Sequence, residues 1–131
     1  MDNNISYQFL KDEELSIIHN AFMKAFEDYQ VDVSYMTQEV MRNRFIKNGV
    51  RFDLSVGAYC EDELVGFTMV GVDQFKGRKT AFDVMTGITK EYRGKGVAKE
   101  MFDYALKKIK ENNIEKFVLE VLRPNENAIK A

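Results

Sequence analysis

The chain has 131 residues, 45% of them hydrophobic, enough for one compact domain with its own core. Its formal net charge of −2 excludes a global basic field for nucleic acid. No apolar run approaches the roughly 18 residues of a membrane helix, and "MDNNISYQFLKDEEL" lacks the basic-then-apolar order of a secretion signal. A lone cysteine, Cys60, cannot close an internal disulfide, and Cys/His metal spacing is absent, so the expected location is the cytoplasm.

In chain order, "ISYQFL" (Ile5 to Leu10) alternates as a strand does. Asp12 is the expected cap of a first helix, whose face runs through Leu15, Ile18, Phe22, Ala25, Phe26 and Tyr29. Thr37 is expected to start a second helix through Val40, Met41 and Phe45, closing at Asn48-Gly49. Two strands follow, Leu54 to Cys60 and Leu64 to Val72, joined by the turn "EDE". "DQFKGRK" then reads as a polar connection, and Thr80 to Lys90 as the next strand. Gly87 inside that strand marks a bulge or a close backbone approach.

Ala98, Met101, Phe102, Ala105 and Ile109 line a helix that ends near Asn112-Asn113. Lys116 to Leu122 has the near-continuous apolar character of a buried strand, and "RPNENAIKA" begins another helix. The expected fold is α/β of the α+β kind: a mixed, mostly antiparallel central sheet flanked by helices, in one domain over residues 1–131.

"EYRGKGVAKEM" (Glu91 to Met101) places two glycines one residue apart, just before a helix. Free N–H groups, the positive end of a helix dipole and residues without Cβ make a concavity for phosphate oxygens, and Arg93, Lys95 and Lys99 add local charge. A P-loop is excluded because no Lys-Ser or Lys-Thr follows the last glycine. A dinucleotide fingerprint is excluded because Lys99 stands where Gly or Ala is needed. A plain tight turn and an anion cradle both remain open on spacing alone.

"RGKGVA" is similar to the Arg/Gln-x-x-Gly-x-Gly/Ala signature of the GNAT superfamily, the acetyl-CoA-dependent N-acetyltransferases. "LEVLRPNENAIKA" resembles that family's next segment, with its Asn-x-x-Ala spacing at Asn125 and Ala128, and the element order matches along essentially the whole chain. The resemblance implies that the backbone N–H groups of Gly94, Lys95, Gly96, Val97 and Ala98 hold the pyrophosphate of acetyl-CoA, with the charge of Arg93 beside them. It implies that the strand edge at Ile88 and Thr89 pairs with the pantetheine arm, and that Asn125 contacts the cofactor or orders the loop beside it. A bulge near Gly87 would splay the strands that flank the thioester.

By the same resemblance, an amine attacks the thioester directly. Asp83 is the first candidate base and Glu120 the second, with the Ile88 N–H as oxyanion donor. Phe26, Tyr29 and Tyr35 would shape the acceptor site for a small-molecule or peptide amine, with Glu27, Asp28 and Asp32 attracting its charge. The plainer reading of that segment is a solvated loop with aromatics tucked into the core.

The family's tyrosine acid would fall at position 132, past Ala131, and its closing elements fall there too, so the resemblance is to a C-terminally incomplete domain. A partner chain, as in a homodimer, would then cover the open sheet edge. The alternative function is a catalytically silent acyl-CoA-binding or dimerisation module. His19 and Cys60 are expected in structural roles: one hydrogen-bonded and partly buried, the other a small hydrophobe.

Overall fold

A computed structural model describes residues 5–28, 32–75, 77–114 and 116–118. Strand β1 (Ile5–Phe9) alternates half-buried Ile5, Tyr7 and Phe9 with exposed Ser6 and Gln8, as the pleat requires. Asp12 does not cap the helix behind it. Asp12–Glu14 form a short 3₁₀ turn instead, in which Glu14 Oε1 accepts the Lys11 N–H at 2.9 Å, so the carboxylate three residues on meets the orphan donor. Helix α1 (Leu15–Ala25) buries Leu15, Ile18, Ala21, Phe22 and Ala25.

Helix α2 (Gln38–Lys47) is capped as expected: Thr37 Oγ1 accepts from the Val40 N–H at 3.1 Å. It buries Met41 and Phe45 and ends into Gly49, whose φ of +66° suits glycine.

Strands β2 (Val56–Cys60), β3 (Glu63–Phe75) and β4 (Arg78–Ile88) form an antiparallel meander. The supposed connection Asp73–Lys79 is mostly strand, because β3 and β4 pair out to Phe75 and Arg78. Helix α3 (Val97–Glu111) crosses over to β5 (Lys116–Val118), which pairs parallel with β4 through Thr80, Ala81 and Phe82. The sheet runs β1-β2-β3-β4-β5, mixed and mostly antiparallel, as anticipated. Of the strand expected over Lys116 to Leu122, the part past Val118 lies outside the described residues, as does the helix expected after it.

Two cores sandwich this sheet. One face packs Leu64, Phe67 and Met69 under α1 and α2, with Leu15, Ile18, Phe22, Met41 and Phe45. The other packs Val56, Ala58, Val65, Val70 and Ala81 under Val97, Met101, Ala105 and Ile109 of α3. Those four helix residues recur every fourth position, so the buried stripe centres on Val97 while Ala98 and Phe102 are only half-buried.

The β3–β4 ladder is broken once. Met69 opposes Met85 but Val70 opposes Asp83, leaving Val84 as the extra residue of a β-bulge. The bulge therefore sits at Val84 and not at Gly87, which pairs regularly with Phe67. Gly87 marks the close approach instead: a Cβ there would stand 2.8 Å from the Phe67 ring and 3.3 Å from Ala25 Cβ. The bulge also resets the alternation. Val84 and Met85 both pack toward α1 and α2, while Asp83 and Thr86, three apart, share the face that carries Val70 and α3. Past Thr68, β3 takes new partners. Ser55 Oγ accepts the Val70 N–H at 2.8 Å, and the Arg51 N–H binds the Val70 carbonyl at 2.8 Å.

Gly87→Ala is expected to lower stability by about 1–3 kcal/mol, because fully buried Phe67 has nowhere to move. Urea unfolding of the variant against the parent chain checks this.

Candidate active site

The chain leaves β4 through a short turn at Lys90–Tyr92. The Thr89 N–H binds the Val65 carbonyl at 2.9 Å, and the Tyr92 N–H binds the Thr89 carbonyl at 2.9 Å. Gly94 and Gly96 follow at φ +74° and +80°, the left-handed region that penalises a side chain. A Cβ built on either would meet nothing within 4 Å, so the space above both is open. The first helical hydrogen bond of α3 runs from the Glu100 N–H to the Gly96 carbonyl at 3.1 Å. Among the described residues, no protein group accepts from the N–H groups of Gly94 to Ala98. These are free donors at the positive end of a 15-residue helix.

Among the described residues, the β4 edge beside this turn is also open in part. Thr89 gives its N–H to β3, so the alternation of an antiparallel ladder turns the Ile88 N–H and carbonyl the other way. Among the described residues, β5 meets β4 only at Thr80–Phe82, short of Ile88. Of the two residues expected to offer this edge, Ile88 presents its N–H there. Thr89 has both main-chain groups satisfied within the protein.

Arg93 is placed differently from its expected role. Its Nε donates to the Ile88 carbonyl at 3.0 Å, and Nη2 donates to the Ala25 carbonyl at the end of α1. Nη1 and Nη2 also grip the two oxygens of Asp28 at 2.8 and 3.1 Å. The guanidinium thus faces α1 rather than the glycine turn. Lys99 is engaged by Asp103 at 2.9 Å, while Lys95 is exposed beside the free amides.

The sequence profile of the acetyltransferase (GNAT) family matches residues 15–131. This chain belongs to the GNAT acetyltransferase family. A comparison with curated protein sequences finds no match. Among solved structures, it is similar to an aminoglycoside acetyltransferase from an uncultured soil metagenomic sample, at TM-score 0.72 and 15% identity over 98% of this chain and 84% of that one. A ribosomal-protein-alanine N-acetyltransferase from Brucella melitensis biovar Abortus 2308 aligns at TM-score 0.70 and 18% identity, covering 97% and 91%. The NatC complex bound to Gag peptide and CoA aligns at TM-score 0.70 and 19% identity, covering 95% and 79%.

Within this GNAT domain, Asp83 stands beside the bulge. Its Oδ1 accepts from Thr86 Oγ1 at 2.8 Å, which lies 2.8 Å from the hydroxyl of fully buried Thr68. Glu120 and Asn125 lie outside the described residues, as does Tyr29. Phe26 is half-buried with its ring 4.7 Å from that of Phe22, whereas Tyr35 is 55% exposed. Asp32 caps its own turn by accepting the Ser34 N–H at 2.9 Å, which holds its carboxyl below the usual range. His19 has the structural role anticipated, with Nε2 at 2.6 Å from the Met36 carbonyl.

The Tyr92 hydroxyl is pushed up to about 12, first by its hydrogen bond with Cys60 and then by burial. Tyr104 stacks on Phe9 at 4.9 Å, on the β1 side of α3. The Arg93–Asp28 clasp and the threonine–aspartate relay escaped the sequence reading, since neither produces a local pattern.

The Arg93 hydrogen bonds hold the Asp28 carboxyl below its ordinary value. A depressed acid contributes stability that is fully present above its free-chain pKa of about 3.9 and is lost as pH falls through the lower folded value. The melting-temperature difference between the parent and Asp28→Asn is therefore expected to hold steady down to about pH 4 and to vanish below it. Thermal melts across pH 2–8 check this.

Proposed function

We propose that this chain is an N-acetyltransferase that moves the acetyl group of acetyl-CoA to a primary amine of a small molecule or peptide. The observation that carries the reading is the row of free amides from Gly94 to Ala98 beneath open space at Gly94 and Gly96. Phosphate oxygens only accept hydrogen bonds, and these groups only donate, at the dipole end that favours negative charge. Side chains at either glycine would fill the approach, so the residues present fit a diphosphate. The acceptors named for the similar structures (an aminoglycoside, a ribosomal-protein alanine, a peptide) support the amine class and do not select within it.

Bound acetyl-CoA supplies an activated acyl carbon. The chain's own residues must position it, satisfy the charge that develops on the acyl oxygen and take up a proton. The Ile88 N–H, turned away from β3, is the donor we assign to that oxygen, where a fixed amide needs no reorganisation. An alkylammonium of pKa about 10.4 is neutral in only about four parts in ten thousand at pH 7, a cost of roughly 4–5 kcal/mol. Asp83, oriented by the Thr86 hydroxyl, is our candidate for accepting that proton. Glu120 and Asn125 keep the proposed roles of second base and cofactor contact. Phe26, Tyr29 and Tyr35 are the proposed acceptor wall.

Gly96→Glu is expected to abolish CoA binding in a calorimetric titration, since it places a carboxylate against the phosphates. Gly77→Glu is the matched control. Gly77 has φ +79° and open space as well, but lies in the β3–β4 turn. Both variants should lose roughly 1–2 kcal/mol for the left-handed backbone, and only the first should lose CoA. Equal CoA affinity in the two would refute the assignment.

Asp83→Asn is expected to lower kcat by about 10²–10⁴-fold, with CoA affinity within about twofold of the parent. Free-thiol release with a panel of amines reads the rate. A loss below about threefold would place the base elsewhere.

A further inference from the structure

We infer that Arg93 is a positioning residue whose clasp on Asp28, Ala25 and Ile88 preorganises the glycine turn, so that binding at the turn and docking of the α1 end strengthen each other. The inference rests on the CoA reading above and assigns to Asp28, which touches none of the free amides, an effect on CoA affinity.

The geometry supplies the reason. Gly94 and Gly96 have the freest backbones in the chain's repertoire, and a row of amides binds phosphate well only if it is already aligned. Downstream, the turn is anchored by Val97, 4% exposed in the α3 core. Upstream, the residue before Gly94 is Arg93, and its side chain is the anchor. It donates to the Ile88 carbonyl on the strand edge, the Ala25 carbonyl at the end of α1 and both Asp28 oxygens.

The Ala25 carbonyl lies in the last turn of α1, where the helix leaves acceptors unpaired and favours a cation. The Arg93 and Asp28 side chains are 31% and 30% exposed, so the fork is partly shielded from water. A planar guanidinium with its donors in a fixed fork ties three segments into one orientation, which a lysine cannot do. Affinity coupling of this kind is reciprocal: what tightens α1 on binding must loosen binding when α1 is freed.

The test is the CoA affinity of Asp28→Asn and Arg93→Lys by calorimetry at pH 7, with circular dichroism confirming that each is folded. Asp28→Asn removes a negative charge from the neighbourhood of an anionic ligand, so simple electrostatics predicts equal or tighter binding. The clasp predicts the opposite, CoA binding weaker by about 5–20-fold, within the usual range of coupling. Arg93→Lys keeps the charge and should lose a similar factor. The double variant should be no worse than Arg93→Lys alone, because both act through one contact.

Hydrogen exchange supplies a second readout. CoA should slow exchange in the last turn of α1, Phe22–Phe26, in the parent chain and not in Asp28→Asn. CoA bound by Asp28→Asn within twofold of the parent, or more tightly, overturns the inference and leaves the CoA reading intact. A parent chain that binds no CoA overturns both.

Discussion

The β3–β4 ladder is the constraint on which the rest of this domain depends. It runs from Gly66–Ile88 to Phe75–Arg78 and carries both cores, one on each face. Its single irregularity, at Val84, changes which face each later residue of β4 serves. Val84 and Met85 enter the core beneath α1 and α2 side by side, and Asp83 is brought onto the same side as Thr86 and Thr68. From that point the strand delivers Ile88 with its N–H turned away from β3, and past one short turn the chain reaches Gly94. The register of one pair of strands thus sets the positions of Asp83, an edge amide and the proposed anion cradle.

The cradle combines two opposed requirements. Its amides must be unpaired to receive a ligand, and glycine is the residue that tolerates φ +74° and +80° there. The same freedom would let the amides wander. Burial of Val97 on one side and the side-chain hydrogen bonds of Arg93 on the other confine them without filling the space above them. A group that sequence alone suggests as a phosphate ligand is instead committed to the walls of the site.

Much of this was legible in the sequence. Thr37 at the start of α2, Asn48-Gly49 at its end and the apolar stripe of α1 are local signals, and local physics honours them. The two glycines before α3 were legible for the same reason. Asp12 misled because the turn begins one residue earlier: Lys11 takes the cap position, and Glu14, three residues on from it, accepts the Lys11 N–H. The ends of β3 and β4 were misread as loop because Asp73, Gln74 and Lys79 are polar and turn-prone. They are exposed there, and pairing with the opposite strand overrides propensity. The Val84 bulge leaves no trace in "FDVMTGI", since strict alternation predicts Asp83 and Thr86 on opposite faces. The clasp joins residues 65 apart, and no window along the chain contains both.

A receptor made of peptide groups has an unusual relation to mutation. Lys95 stands exposed among the free donors, and exchanging it alters the local charge without displacing a single N–H. Drift at such positions can retune attraction or selectivity while the donors proposed to grip the ligand stay as they were. The burden of inheritance then falls on two glycines and the residues that pin their flanks, a far smaller set than the surface they serve.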